Sequence, residues 1–138
     1  MKMIGQIAFT LIASANIITA EMNAFQAIIK PIGQNNVSGT AVVMTMIDGS
    51  LFYGGTFSGL KPNLSNCMAE NGCGVHIHAG TGCEDTTSQG AHLYENLDTD
   101  PWQTAQYVSD AGGKALVGNS IQIGTTDVAG RAFVGTCN

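Results

Sequence analysis

After residue 20 the chain shows almost no helical periodicity, and its apolar and β-branched residues come in short runs cut by Gly, Asn and Asp. Runs of this length alternating between two faces read as strands, and the residues between them read as turns. Candidate strands fall at 24–30, 37–47, 51–57, 74–78, 104–109, 114–117 and 131–134. In the second, Val42, Met44 and Met46 share one face, and Val43, Thr45 and Ile47 share the other. Asp48-Gly49 lies between two apolar runs and signals a hairpin. Gly54-Gly55 reads as a bulge in the third strand. Residues 79–101 are polar and Gly-rich, the composition of a long functional loop. Seven or so short strands with these turns predict an all-β fold, a sandwich or Greek-key β-barrel.

The first twenty residues read as a secretory signal. Lys2 supplies the positive start, Ile4 to Ala15 the apolar stretch, and Thr19 and Ala20 the small residues before a cut at Glu21. The expected organisation is a signal peptide over 1–20 and one domain over 21–138. Later apolar runs fall well short of the roughly 20 residues that span a bilayer, so no membrane association is expected after cleavage. The expected destination is extracellular. Four cysteines, Cys67, Cys73, Cys83 and Cys137, suit that oxidising route. They allow three connectivities, among which spacing does not choose. Asn36-Val37-Ser38 and Asn63-Leu64-Ser65 are glycosylation sequons consistent with the same route.

Ten carboxylates stand against five basic residues, and half of the carboxylates fall between Glu84 and Asp100. That balance leaves no basic patch, so nucleic acid is excluded as a partner class. The acidic stretch reads first as a solvated loop, with weak binding of hard cations as the alternative.

The histidines carry the chemistry. There are only three, His76, His78 and His92, all within residues 76–92. On a strand His76 and His78 point to one face, with attachment points about 6.6 Å apart, and Val75 and Ile77 point to the other. His92 returns from the loop and offers a third nitrogen. Three imidazoles without a thiolate suit copper or zinc. The bland alternative is a solvent-facing pair and an unrelated loop histidine.

With these residues in view, the chain resembles the copper/zinc superoxide dismutase family. The resemblance rests on "GTAVVMTMIDGSLFYGGTFSGLKPN" at 39–63, "CGVHIHAGTGC" at 73–83, "GAHLYE" at 90–95, "YVSDAGGKALV" at 107–117 and "GRAFV" at 130–134, in the family's order. A secreted subset of the family, acidic and with a short zinc loop, looks closer than the cytosolic enzymes, which suggests a degenerate or copper-only domain. The resemblance implies a Greek-key β-barrel and dismutation of superoxide. It implies His76 and His78 as copper ligands, and His92 at the place of the histidine that bridges copper and zinc. It also implies Cys83 joined to Cys137, leaving Cys67 with Cys73.

The departures shape the expectation further. Thr136 stands where the family has a fourth copper histidine, and no histidine follows His92 to complete a zinc site. Glu95, Asp98 and Asp100 are the carboxylates nearby in sequence. Arg131 matches a structural strand arginine and leaves the family's substrate-guiding arginine without a counterpart. The expected cofactor is therefore copper without zinc. The expected partners are a metal ion and superoxide, with weak or absent dismutation and no catalytic residue assigned. A non-catalytic extracellular metal-binding or matrix protein on the same fold is the alternative.

Overall fold

A computed structural model describes residues 22–31, 36–65 and 73–135. The 1–20 segment, Cys67, Cys137 and Thr136 lie outside the described residues. The described chain is predominantly β-structure. Strands β1 (Asn23–Ile29), β2 (Ser38–Thr45), β3 (Ser50–Ser58) and β5 (Ala115–Gln122) form one antiparallel sheet in the order β1-β2-β3-β5. Strands β4 (Val75–His78) and β6 (Ala132–Gly135) form a second antiparallel pair. Between β4 and β5 lie a one-turn helix α1 (Thr86–Gln89) and a 3₁₀ turn (Pro101–Thr104). No helix among the described residues is long and apolar enough to cross a membrane.

The first sheet follows from its alternation. Ala41, Val43 and Thr45 on β2 are buried, while Val42 is exposed and Met44 half-buried. The Asp48-Gly49 turn then sets the register. Gly49 adopts a φ of 77°, which only glycine takes readily, and the Asp48 carboxylate accepts from Ser50 N at 2.9 Å. Thr45 consequently pairs with Leu51, which puts Leu51 and Tyr53 on the core side beside Val43. The two sheets meet through Leu51, Tyr53, Phe57 and Val117 on one side and Val75, Ile77 and Phe133 on the other. Tyr53 meets Phe133 edge to face at 5.9 Å, a favoured arrangement for aromatic pairs. Fully burying an apolar side chain of this size contributes roughly 1.5–3 kcal/mol, so this seam is a main source of cohesion.

Two expectations about strands are corrected. The Gly54-Gly55 pair forms no bulge, since β2 and β3 pair without interruption as Val42↔Gly54 and Ala41↔Gly55. Gly55 is required for a different reason. A Cβ there would lie 2.2 Å from Thr40 O and 2.7 Å from the Ala41 Cα. Residues 104–109 do not form a strand either. Pro101 opens a 3₁₀ turn that ends at Thr104, and Gln106 makes only an isolated bridge to Gly74. Proline's fixed φ and the Asp100 cap favour that turn over extended chain.

Candidate metal centre

Strand β4 has the expected alternation, with Val75 and Ile77 in the core and both histidines on the opposite face. That face is not open. His76 is 1% exposed, because the 3₁₀ turn brings Trp102 edge-on to its ring at a centroid distance of 6.2 Å. Room for the imidazole comes from Gly74. A Cβ on that residue would lie 2.0 Å from His76 Nε2, so any side chain there would displace the ring.

His92 is delivered by backbone pairing. Ala79 N donates to Ala91 O and Leu93 N donates to Ile77 O, both at 2.8 Å. The segment around His92 therefore runs antiparallel to β4, with His92 bridged to His78. One ligating nitrogen from each of His76, His78 and His92 lies within 4.8 Å of the others. Among the described residues this is the one cluster of three or more metal-ligating side chains. The structure thus brings together all three histidines expected from sequence. Glu84, Asp85, Glu95, Asp98 and Asp100 do not join the cluster.

The hydrogen bonds decide which nitrogens are presented. His78 Nδ1 lies 2.8 Å from Gly90 O, and a carbonyl only accepts, so Nδ1 carries the proton. Its Nε2 is then a lone-pair donor, and that atom is buried with no hydrogen-bond partner. His76 Nδ1 is likewise buried and unpartnered. His92 Nδ1 lies 2.6 Å from the Asp100 carboxylate, which leaves its Nε2 as the donor. Buried nitrogens without partners carry a desolvation cost of about 1–3 kcal/mol each, and a metal ion removes that deficit. The residues present therefore fit a metal ion.

Electrostatics favour the same form. The His76 pKa is pushed down to about 4, first by burial and then by the neighbouring His92 and His78, with Asp100 opposing. His78 is also pushed down, chiefly by burial, against the pull of Gly90 O. Both rings are neutral at pH 7, which is the ligand form of imidazole.

Two residues beyond the histidines complete the site. Asp100 accepts from His92 with one oxygen and from Trp102 N at 2.9 Å with the other. Trp102, fully buried, donates from Nε1 to Leu93 O at 2.8 Å. Together they clamp the His92 segment against the 3₁₀ turn. Read in the sequence as part of a solvated stretch, Asp100 is instead a histidine-orienting carboxylate. The signal was the adjacent Asp-Pro, a common turn opener. Asp85 follows the blander reading and caps α1 through Ser88 N at 2.8 Å.

Arg131 has the structural role expected of it. It pairs with the Asp127 carboxylate and donates from Nη1 to Ala79 O at 2.5 Å, tying down the segment after β4. The cysteine expectation is corrected. Cys83 is a free, exposed thiol, so it does not form the bridge to Cys137. Cys73 is the described cysteine that is disulfide-bonded. Its local environment is buried beside Val75, whereas Cys83 sits on the exposed turn before α1.

No known family model matches the chain, and no curated protein matches it.

Proposed function

We propose that this chain is a secreted copper-binding protein with a Greek-key barrel of the superoxide dismutase type. Copper would be held by His76 Nδ1, His78 Nε2 and His92 Nε2. One observation carries the reading: two buried, unpartnered histidine nitrogens converge with a third histidine whose far side is fixed by Asp100. A three-nitrogen set without thiolate suits copper, and the family resemblance favours copper over other ions. The strand order β1-β2-β3-β5 facing β4-β6, with connections crossing between the sheets, supports the Greek-key assignment.

Copper, when bound, supplies one-electron chemistry through its two oxidation states. The protein's own contribution is orientation. Gly90 O and Asp100 fix the tautomers of His78 and His92, and Trp102 and Gly74 set the position of His76. A second ion is disfavoured, because His92 Nδ1 is already committed to a carboxylate.

Copper titration followed by dialysis and elemental analysis tests the reading. About one copper per chain is expected, lost in His78→Ala. Less than about 0.2 copper per chain, unchanged by that substitution, overturns it.

A further inference from the structure

The described residues hold three methionines, Met22, Met44 and Met46, and all three stand at one corner of the β1-β2-β3-β5 sheet. Met44 and Met46 alternate with the buried Val43 and Thr45, so both side chains leave β2 on the outer face. Met46 stays in the ladder with β3, since its N donates to Ser50 O at 2.9 Å. Met22 directly precedes Asn23, whose partner is Thr45, and this register sets Met22 beside Met46. Ala24 pairs with Met44 on the outer face, and alternation along β1 puts Met22 on that face too.

The fold gives no reason for methionine at these positions. Methionine fills irregular gaps in cores, but Met22 is 56% exposed and Met44 and Met46 are only half-buried. The outer face of a strand ordinarily takes β-branched residues, as β2 does at Thr40 and Val42. What the three share is a neutral, polarizable thioether. Their attachment points form a small triangle. Its sides are about 5 Å across the strands from Met22 to Met46, about 6.7 Å along β2 from Met44 to Met46, and about 7–8 Å on the diagonal. The flexible side chains let the three sulfurs converge within it. Phe52 pairs with Met44 and is 45% exposed, which sets an aromatic ring at the edge of the triangle, and such a ring face attracts a cation.

Charge along the strands favours a cation at the same corner. Asp48 lies in the adjoining β2–β3 turn. Glu95 is at this end too, since its N donates to Ile123 O while Ile123 N donates to Gly49 O. Lys30 and Lys114 stand at the opposite end, where β1 finishes and β5 begins, and Lys61 joins them because Leu60 N donates to Gly113 O. A field of this polarity draws positive ions toward the methionines.

We propose that Met22, Met44 and Met46 form a further metal site, a surface thioether site for monovalent copper. Neutral sulfur donors suit soft Cu(I), whereas hard cations prefer oxygen. The site is separate from the histidines. These leave β4 away from the core, the methionines leave β1 and β2 away from it, and Val43 and Ile77 lie between. The inference therefore does not rest on copper at the histidines. Thioethers hold divalent copper poorly, so this site adds nothing to the copper retained when the protein is loaded with Cu(II).

Nuclear magnetic resonance of the chain with isotope-labelled methionine methyls tests this, on the unsubstituted protein and on His78→Ala. Silver(I), a soft closed-shell ion, is the first probe, and Cu(I) without oxygen is the second. Met22→Leu, Met44→Leu and Met46→Leu assign the resonances. All three methyls should move together and saturate at about one ion per chain in His78→Ala, and Zn²⁺ should leave them in place. Met44→Leu conserves volume, so the melting temperature should hardly change. It should weaken binding at least about 10-fold, the lower figure for losing even an outer partner of a metal ligand. Methyl resonances that do not move with excess silver(I) overturn the proposal. So do shifts confined to one methionine, equal shifts with Zn²⁺, or an affinity that Met44→Leu leaves unchanged.

Discussion

Asp100 holds His92 from behind, with its Oδ2 2.6 Å from His92 Nδ1 and its Oδ1 on Trp102 N at 2.9 Å. The carboxylate fixes both the tautomer and the tilt of the ring. Asp100→Asn keeps the size and one acceptor for Trp102 but replaces the acceptor facing His92. Copper affinity should fall by about 10–100-fold, the usual effect of losing such an outer partner. The melting temperature should move little. Competition titration against a chelator of known affinity measures it, and an unchanged affinity would show that Asp100 does not orient His92.

Gly74→Ala should damage the site from the other side. The added methyl would sit 2.0 Å from His76 Nε2 and 2.2 Å from its Cε1, in a fully buried setting. Overpacking of this kind costs about 1–3 kcal/mol. The displaced ring should also lower copper stoichiometry. Urea unfolding and elemental analysis on the same preparation read both effects. A variant as stable and as well loaded as the wild type refutes the claim that Gly74 makes room for His76.

The metal-free protein should lose stability as pH falls from about 6.5 toward 4. His76 is neutral in the fold, with its pKa pushed down to about 4 by burial. In the unfolded chain the same ring takes a proton near pH 6.5. Between those values the unfolded state binds more protons, so stability rises with pH across the window. His78 is shifted in the same direction and adds to the slope. Asp48 and Asp85 have lowered values, through their bonds to Ser50 and Ser88. Their contributions fade only below the ordinary carboxylate range, so they do not account for a loss near pH 5. Unfolding midpoints from pH 7.5 to 4.5 should slope less in His76→Gln. Parallel slopes in the two proteins would dismiss the mechanism.

What the sequence disclosed here follows the range of the forces involved. The β2–β3 hairpin was legible because Asp48-Gly49 is a local signal flanked by alternating residues. His76 and His78 were legible as a same-face pair because strand geometry is periodic. The arrival of His92 was suggested only by its closeness in sequence, and it is produced by pairing of residues 91–93 with β4. Asp100 was hidden, since a loop carboxylate eight residues from a histidine has no fixed geometry until Trp102 anchors the turn. The role of Gly74 was hidden for a similar reason, because an empty volume is invisible until the neighbouring ring is placed. The Gly54-Gly55 bulge and the 104–109 strand failed because composition does not distinguish close approach from a bulge, or a 3₁₀ turn from an extended run.

Only one of the two described cysteines should behave as a thiol. Cys83 is free and exposed, and Cys73 is buried and disulfide-bonded. A thiol reagent should modify Cys83 quickly without denaturant. Cys83→Ser should change stability by no more than about 0.5 kcal/mol, as surface substitutions generally do. Cys73→Ser should cost about 2–5 kcal/mol, the range for loss of a native disulfide in a small domain. Peptide mapping with and without reductant checks the assignment. Recovery of Cys83 in a bridged peptide would contradict it.

Dismutation by the copper-loaded protein should be slow compared with the complete enzymes of the family it resembles. Thr136 stands where that family has a fourth histidine, so only three imidazoles are expected on copper, and oxidised copper favours more nitrogen donors. Anion docking should also be weak. Arg131 is committed to Asp127 and Ala79 O, and Lys30, Lys61 and Lys114 gather at one end of the four-stranded sheet. The His92 segment instead continues into Glu95, Asp98 and Asp100. A negative field slows an anion, whereas favourable steering raises association by about 10–1000-fold. Stopped-flow decay of superoxide, with copper measured in the same sample, supplies the number. A rate constant at least 100-fold below about 10⁹ M⁻¹s⁻¹ per copper is expected. Rising salt should speed the reaction slightly by screening the carboxylates, opposite to the slowing seen when positive groups guide the anion. A near diffusion-limited rate that falls with salt would overturn both parts of the prediction, and would require a cationic docking group close to the three histidines.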